Sequence, residues 1–159
     1  MSEQLQDLDI LVNLYNLPND DDPTKAMKEK GVGIKRGLGP DKTEILDFIK
    51  REFSQGWADE CEKAIFNSTC YIATLDGEVV GFACYDSTAL GYYGPLGVAK
   101  KARKLGIGSA LTAKCLLAMR EKGYGYAIIN AGPVEYYIKT LNAQVIGDHP
   151  GVYANLICN

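Results

Sequence analysis

Apolar residues recur along this chain in two rhythms, and the switches between them outline the elements. Over 5–17, Leu5, Leu8, Leu11, Val12 and Tyr15 follow helical spacing up to Pro18, which predicts a first helix. Asn19, three aspartates and Pro23 read as a turn, and 25–30 as one helical turn ended by Gly31. At 32–38 the rhythm becomes alternation, with Val32, Ile34, Arg36 and Leu38 on one face, which predicts a strand weakened by Gly33 and Gly37. Helical spacing returns with Ile45, Phe48, Ile49 and Phe53. Asp41 followed three residues later by Glu44 has the pattern of a capping box at its start. A second helix is predicted over 57–66, with Cys61, Ala64 and Ile65 facing inward.

The middle of the chain is strand-like. Runs at 69–75 and 78–85 flank Asp76-Gly77, a strong hairpin signal. The run 89–98 is a third strand. Its internal glycines and Pro95, which brings no N–H to a ladder, predict a bulge or a close backbone approach. Helix 109–122 then follows, with Ile107, Leu111, Cys115 and Met119 at intervals of four and Gly123 as its stop. The apolar run 126–130 completes a strand–helix–strand unit, which predicts a buried parallel strand pair. A last helix over 134–141 and closing strands at 143–146 and 152–157, turning at Asp148-His149-Pro150-Gly151, end the pattern. No repeat or linker interrupts it, so one domain over 1–159 is expected.

Composition narrows the partners. With 47% hydrophobic and 23% charged residues the chain is expected to fold as a globule, and a net charge of −3 gives no reason to expect nucleic-acid binding. No run approaches the length of a membrane span, and no leader pattern opens the sequence, so a cytoplasmic protein is expected. The five cysteines lack C-x-x-C spacing and accompany a single histidine, His149. That predicts free thiols and no metal site.

One stretch departs from the acidic background. Lys100, Lys101, Arg103 and Lys104 precede Gly106 and Gly108 where a strand end meets a helix start. The first amides of a helix lack intrahelical acceptors and, with the helix dipole, attract anions. Glycines let a phosphate approach the backbone without meeting a Cβ. Arg103 and Lys104 add charge, and Ser109 adds a hydroxyl. A Walker A loop would need Gly-Lys-Ser/Thr here, which is absent, and a Rossmann fingerprint would need Gly or Ala where Leu111 stands. A solvated basic face is the bland alternative.

The pattern Val98-x4-Arg103-x-x-Gly106-x-Gly108-x-x-Leu111 resembles the acetyl-CoA motif of the GNAT superfamily of N-acetyltransferases. The order of elements supports the resemblance: strand, two helices, three antiparallel strands, helix, strand, helix, strand pair. Tyr136-Tyr137-Ile138-Lys139 resembles the family's tyrosine-bearing last helix, with Pro133 and Ile138 departing from its usual residues. The resemblance implies an α/β fold with a mixed, mostly antiparallel sheet flanked by helices. It implies acetyl-CoA as co-substrate and acyl transfer to an amine by direct attack in a ternary complex. It places the pantetheine arm along Leu96, Gly97 and Val98, and the pyrophosphate on Arg103, Lys104, Leu105, Gly106, Ile107, Gly108 and Ser109. It adds Asn130 and Tyr137 as cofactor contacts, with Tyr137 as the acid that protonates the leaving thiolate.

The other half of such a site is less legible. The acceptor amine must lose a proton to attack, and a carboxylate acting directly or through water could take it; Glu60 is the first candidate and Asp86 the second. Trp57, Tyr85, Tyr92 and Tyr93 are candidate walls of an acceptor pocket. Cys84 and Cys115 as acetyl-carrying nucleophiles are disfavoured. The acceptor itself, a small-molecule or protein amine, stays open, as does a homodimer. Two readings of other classes also stay open: an acyl-CoA-sensing module without catalysis, and a nucleotide-binding protein.

Overall fold

The structure, a computed structural model, describes residues 8–130, 132–147 and 151–157. Among the described residues the strands form two sheets. The larger is antiparallel, in the order β2 (Val32–Arg36), β3 (Cys70–Leu75), β4 (Glu78–Tyr85), β5 (Tyr93–Val98). Asp76 and Gly77 both take positive φ, 51° and 77°, in the two-residue turn that closes the β3–β4 hairpin. The smaller sheet holds β1 (Asp9–Asn13) between β6 (Tyr126–Asn130) and β7 (Gln144–Val145), with both pairings antiparallel.

Helices cover the larger sheet. On one face lie α2 (Lys42–Glu52) and α3 (Gln55–Phe66), which bury Ile45, Phe48, Ile49, Cys61 and Ala64. Across the sheet runs α4 (Ile107–Lys122), whose Ile107, Leu111, Cys115 and Met119 are buried as their spacing predicts. Gly81 lets this helix approach: a Cβ there would stand 3.2 Å from Leu111 Cδ1 and 3.3 Å from Ile107 Cγ2. A short α1 (Thr24–Glu29) precedes β2, and α5 (Val134–Leu141) follows β6. Among the described residues no helix is long and apolar enough to cross a membrane.

Four expectations are corrected. The described part of 5–17 contains strand β1 and no helix, and residues 5–7 lie outside the described residues. The residues it buries are Ile10, Val12 and Leu14, which alternate, while Tyr15 is exposed. In so short a run the two periodicities overlap, and the β-branched pair Ile10 and Val12 fits a strand better. Residues 152–157 hold a 3₁₀ turn, Val152–Asn155, in place of a strand. The turn at Asp148, His149 and Pro150 lies outside the described residues. Asp41 does not cap α2. It turns back to pair with Lys35 at 2.9 Å and to accept from the Leu38 N–H. The helix that does carry a side-chain cap is α3, where Ser54 Oγ accepts from the Trp57 N–H at 3.1 Å.

The fourth correction shapes the molecule. β5 and β6 do not form a parallel pair; they touch at one bridge, Tyr92 to Ile128, and then diverge. One cause is visible. β5 carries an extra residue near Gly94 and Pro95: from Ala83 to Tyr85, β4 advances two positions while its partner advances three, from Leu96 back to Tyr93. The gap between the diverging strands is the cleft described next.

Candidate active site

A cleft of about 850 Å³ opens where β5 and β6 part. Its floor is the turn into α4. Lys104 and Gly106 take positive φ, 76° and 82°, and Gly106 caps the helix. The first intrahelical bond runs from the Ala110 N–H to the Gly106 carbonyl, so the N–H groups of Ile107, Gly108 and Ser109 precede the ladder. A Cβ on Gly108 would meet only Val98 Cγ2, at 3.8 Å, so the glycine leaves bare backbone facing open space. Arg103, Lys104, Gly106, Ile107, Gly108 and Ser109 all line the cleft. Leu105 does not; its carbonyl accepts from Lys30 Nζ at 3.1 Å. Lys30, which ends α1, thereby adds a cation beside the turn that local pattern did not single out. Of the preceding basic run, Lys101 turns aside to Glu78.

One wall is the free edge of β5. Leu96, Gly97 and Val98 pair with β4 on one side, and among the described residues no strand pairs with their other side. Such an edge presents a row of backbone donors and acceptors. Gly97 is required by packing: a Cβ there would lie 2.6 Å from Phe53 Cζ and 2.9 Å from Phe82 Cε1. Phe53 in turn stacks near Trp57, with centroids 5.3 Å apart, and both rings line the cleft.

The opposite wall comes from β6 and α5. Tyr137 lines the cleft with 5% of its surface exposed, and burial pushes its phenol up to about 12. Its neighbour Tyr136 reaches Ser109 with an O···O distance of 2.6 Å, tying α5 to the start of α4. Asn130 also lines the cleft, and its Nδ2 donates to Asp9 Oδ1 at 2.6 Å. The other Asp9 oxygen accepts from Tyr92 OH at 2.9 Å. Desolvation, with this bond to a carboxylate, raises Tyr92 to about 12. Strand β1, through Asp9, thus positions two cleft residues.

The far end of the cleft gathers Trp57, Thr88, Tyr92 and Tyr153. Glu60 lies behind them and is not itself a lining residue. Its Oε1 accepts from Thr88 Oγ1 and, at 2.8 Å, from Tyr153 OH. Of the four aromatic candidates Trp57, Tyr92 and Tyr93 line the cleft; Tyr85 does not, and accepts from Arg36 at 3.0 Å. Asp86 lies outside the cleft and is 3% exposed, enclosed by Lys122 Nζ (2.7 Å), Tyr124 OH (2.8 Å) and the Gly91 N–H (2.8 Å). Burial raises its pKa, but these donors outweigh it and hold the carboxyl below its ordinary value. It is a structural clamp on the 86–91 loop. Thr88, Tyr153, Phe53 and Tyr136 were not named as site residues from the sequence. Phe53 stood there only on an apolar helix face, and Tyr136 only beside Tyr137 in the tyrosine-bearing helix.

The cysteines show the same limit of spacing. Cys61, Cys70 and Cys84 come from α3, β3 and β4, yet their sulfurs lie within 4.8 Å of one another, all buried. None of them, nor Cys115, lines the cleft; Cys158 lies outside the described residues.

A family model described as the acetyltransferase (GNAT) family matches residues 42–141. No curated protein is similar enough to this sequence to count as a match. Among solved structures, a GCN5-related glucosamine N-acetyltransferase region of a fungal multi-domain GH3 β-N-acetylglucosaminidase is 14% identical, with a TM-score of 0.69 over 87% of this chain and 19% of that one. A GCN5-related N-acetyltransferase from Sphaerobacter thermophilus is 15% identical, with a TM-score of 0.68 over 87% of this chain and 48% of that one. A GNAT family acetyltransferase from Brucella melitensis, in complex with acetyl-CoA, is 20% identical, with a TM-score of 0.56 over 73% of this chain and 88% of that one. The chain therefore spans less than half the length of the first two. At these identities the likeness is one of fold.

Proposed function

Since this chain belongs to the acetyltransferase (GNAT) family, we propose that it transfers the acetyl group of acetyl-CoA to an amine by direct attack in a ternary complex. One observation carries the proposal: the bare amides at the start of α4 and the free edge of β5 line the same cleft, with Tyr137 across from them. That arrangement suits a long ligand with a diphosphate at one end and an amide-bearing arm at the other.

Acetyl-CoA supplies the activated acyl group; the protein supplies position and protons. The N–H groups of Ile107, Gly108 and Ser109 face the diphosphate, helped by the helix dipole and by Arg103 and Lys104. Arg103 Nε already donates to the Val98 carbonyl at 3.3 Å, which holds the turn against the end of β5. Leu96, Gly97 and Val98 receive the pantetheine arm as an added strand would be received. Asn130 borders the same arm. Tyr137 is the proton donor to the departing thiolate. A phenol is protonated at neutral pH, as a donor must be. Glu60 is the acceptor of the amine's proton, and Asp86, outside the cleft, is not proposed for that role. The acceptor is an amine, of a small molecule or of a protein, that enters between Trp57 and Tyr153. The cytosol is the proposed location, and no metal is assigned a part.

The test is release of free CoA thiol from acetyl-CoA with a panel of alkylamines, amino acids, polyamines and peptides. Product-coupled turnover with at least one class is expected. Tight CoA binding by calorimetry with no turnover across the panel would replace the enzyme with a cofactor sensor. Protection of the fold by ATP or NAD in preference to CoA would overturn the ligand assignment.

A further inference from the structure

Glu60 is one step removed from the space where an acceptor would sit. What the cleft meets are two hydroxyls, on Thr88 and Tyr153, both donating to the same carboxylate oxygen. The two also lie 3.2 Å apart, so the three groups form a closed triangle. They come from α3, from the loop after β4 and from the 3₁₀ turn near the end of the described chain. The cluster is anchored: the Ser87 hydroxyl donates to the Glu60 carbonyl, and Lys63 Nζ donates to the Ser87 carbonyl at 3.2 Å.

We propose that Tyr153 relays the acceptor's proton to Glu60 and that the acceptor is an alkylammonium ion. This rests on the acetyl-transfer reading above. The acceptor R–NH3⁺ donates a proton to the Tyr153 phenol oxygen as the phenol proton passes to Glu60 Oε1. The nitrogen lone pair is freed for attack. Tyr153 is neutral before and after, and Glu60 goes from carboxylate to carboxylic acid, returning the proton to solvent later. Charge balances, since one cation and one carboxylate become two neutral groups.

Three observations favour the phenol as the link. Its proton is already committed to Glu60, which leaves its oxygen lone pairs to accept from the cleft side. Burial raises the Tyr153 phenol to about 12, but it is still far more acidic than an aliphatic hydroxyl such as Thr88 and so is the better link for passing a proton on to Glu60. Thr88 is a positioning residue here, holding Glu60 Oε1 and the phenol together. The walls also fit a cation: Trp57, Tyr92 and Tyr153 are aromatic lining residues, and Glu60 behind them offers the counter-charge. An amine that is neutral at working pH would need no relay.

That last point supplies the test. Wild type, Tyr153→Phe, Glu60→Gln and the double variant are assayed with saturating acetyl-CoA and two nucleophiles: the best alkylamine of the panel, and hydroxylamine, which is largely unprotonated at neutral pH. With the alkylamine, Tyr153→Phe is expected to lower kcat about 100-fold, with Glu60→Gln similar and the double variant no worse than either single change. With hydroxylamine the loss should shrink to under about fivefold, and CoA affinity should stay within about twofold throughout. Equal losses with both nucleophiles would mean that Tyr153 only shapes the pocket, and a wild-type rate in Tyr153→Phe would remove it from the path; either overturns the relay while leaving acetyl transfer intact. If Tyr153→Phe does not fold, Glu60→Gln carries the same comparison. A wild-type protein that binds CoA and acetylates neither nucleophile ends both readings.

Discussion

The two ends of the cleft are built in opposite ways. The end at α4 is made of backbone, from one continuous stretch, Leu96 to Ser109, with Gly97, Gly106 and Gly108 keeping side chains out. The far end is made of side chains from distant places: Trp57 and Glu60 on α3, Thr88 and Tyr92 beyond β4, Tyr153 near the end of the described chain. Backbone groups have the same chemistry in any sequence, so a site made from them suits a ligand that is always the same. Side chains on loops change readily while the scaffold stays. The difference teaches that the second half is assembled across long sequence separations, held in place by clamps rather than by local pattern.

The largest expected effect breaks the backbone half. Gly108→Trp should place an indole in the cleft with no clash in the core. CoA affinity should fall at least about 100-fold, roughly 2.7 kcal/mol, with the thermal midpoint of the free protein nearly unchanged. Calorimetry and melting together check it, and unaltered affinity would remove the diphosphate from the start of α4.

Next, Tyr137→Phe probes the point where the halves meet. Turnover should fall roughly 10- to 100-fold while CoA affinity stays within about twofold. A loss of affinity without loss of kcat would make Tyr137 a packing residue.

The third change loosens the side-chain half through its clamp. Asp86→Asn removes the charge that gathers Lys122, Tyr124 and the Gly91 N–H. It should cost about 1–3 kcal/mol in urea unfolding at neutral pH. The sign with pH is set by its lowered pKa. The stabilisation is present above the unfolded value, about 3.9, and is lost as pH falls through the folded value. The gap between wild type and variant should therefore close on acidification below about pH 4. A gap that persisted there would show that the carboxylate charge is not what clamps the loop.

The smallest change trims one cation. Lys30→Ala should weaken CoA binding about two- to fivefold and flatten its dependence on salt, since Lys30 contributes at an exposed position beside the turn. A salt slope equal to that of wild type would place Lys30 outside the ligand's reach.

Legibility followed the same division. Arg103, Gly106, Gly108 and Ser109 were readable because a helix start, glycines and cations must be contiguous to act together, and Tyr137 was readable through family resemblance. Helices α2 to α4 and the β3–β4 hairpin were readable because periodicity and Asp76-Gly77 are local signals. The strand at Asp9–Asn13 was not, because its identity as a strand comes from pairing with β6 and β7. The clamping role of Asp86, the link between Asp9 and Asn130, and the three sulfurs of Cys61, Cys70 and Cys84 depend on contacts between residues far apart in sequence.

What this sequence determined by itself is the set of elements whose causes are local and the basic glycine turn that leads into α4. The tertiary structure decided the rest. One residue added to β5 parts it from β6 and opens the cleft, and folding Tyr153 back onto α3 completes its far end. Both depend on loop closure over many residues, and the pattern within any one segment carries no record of it.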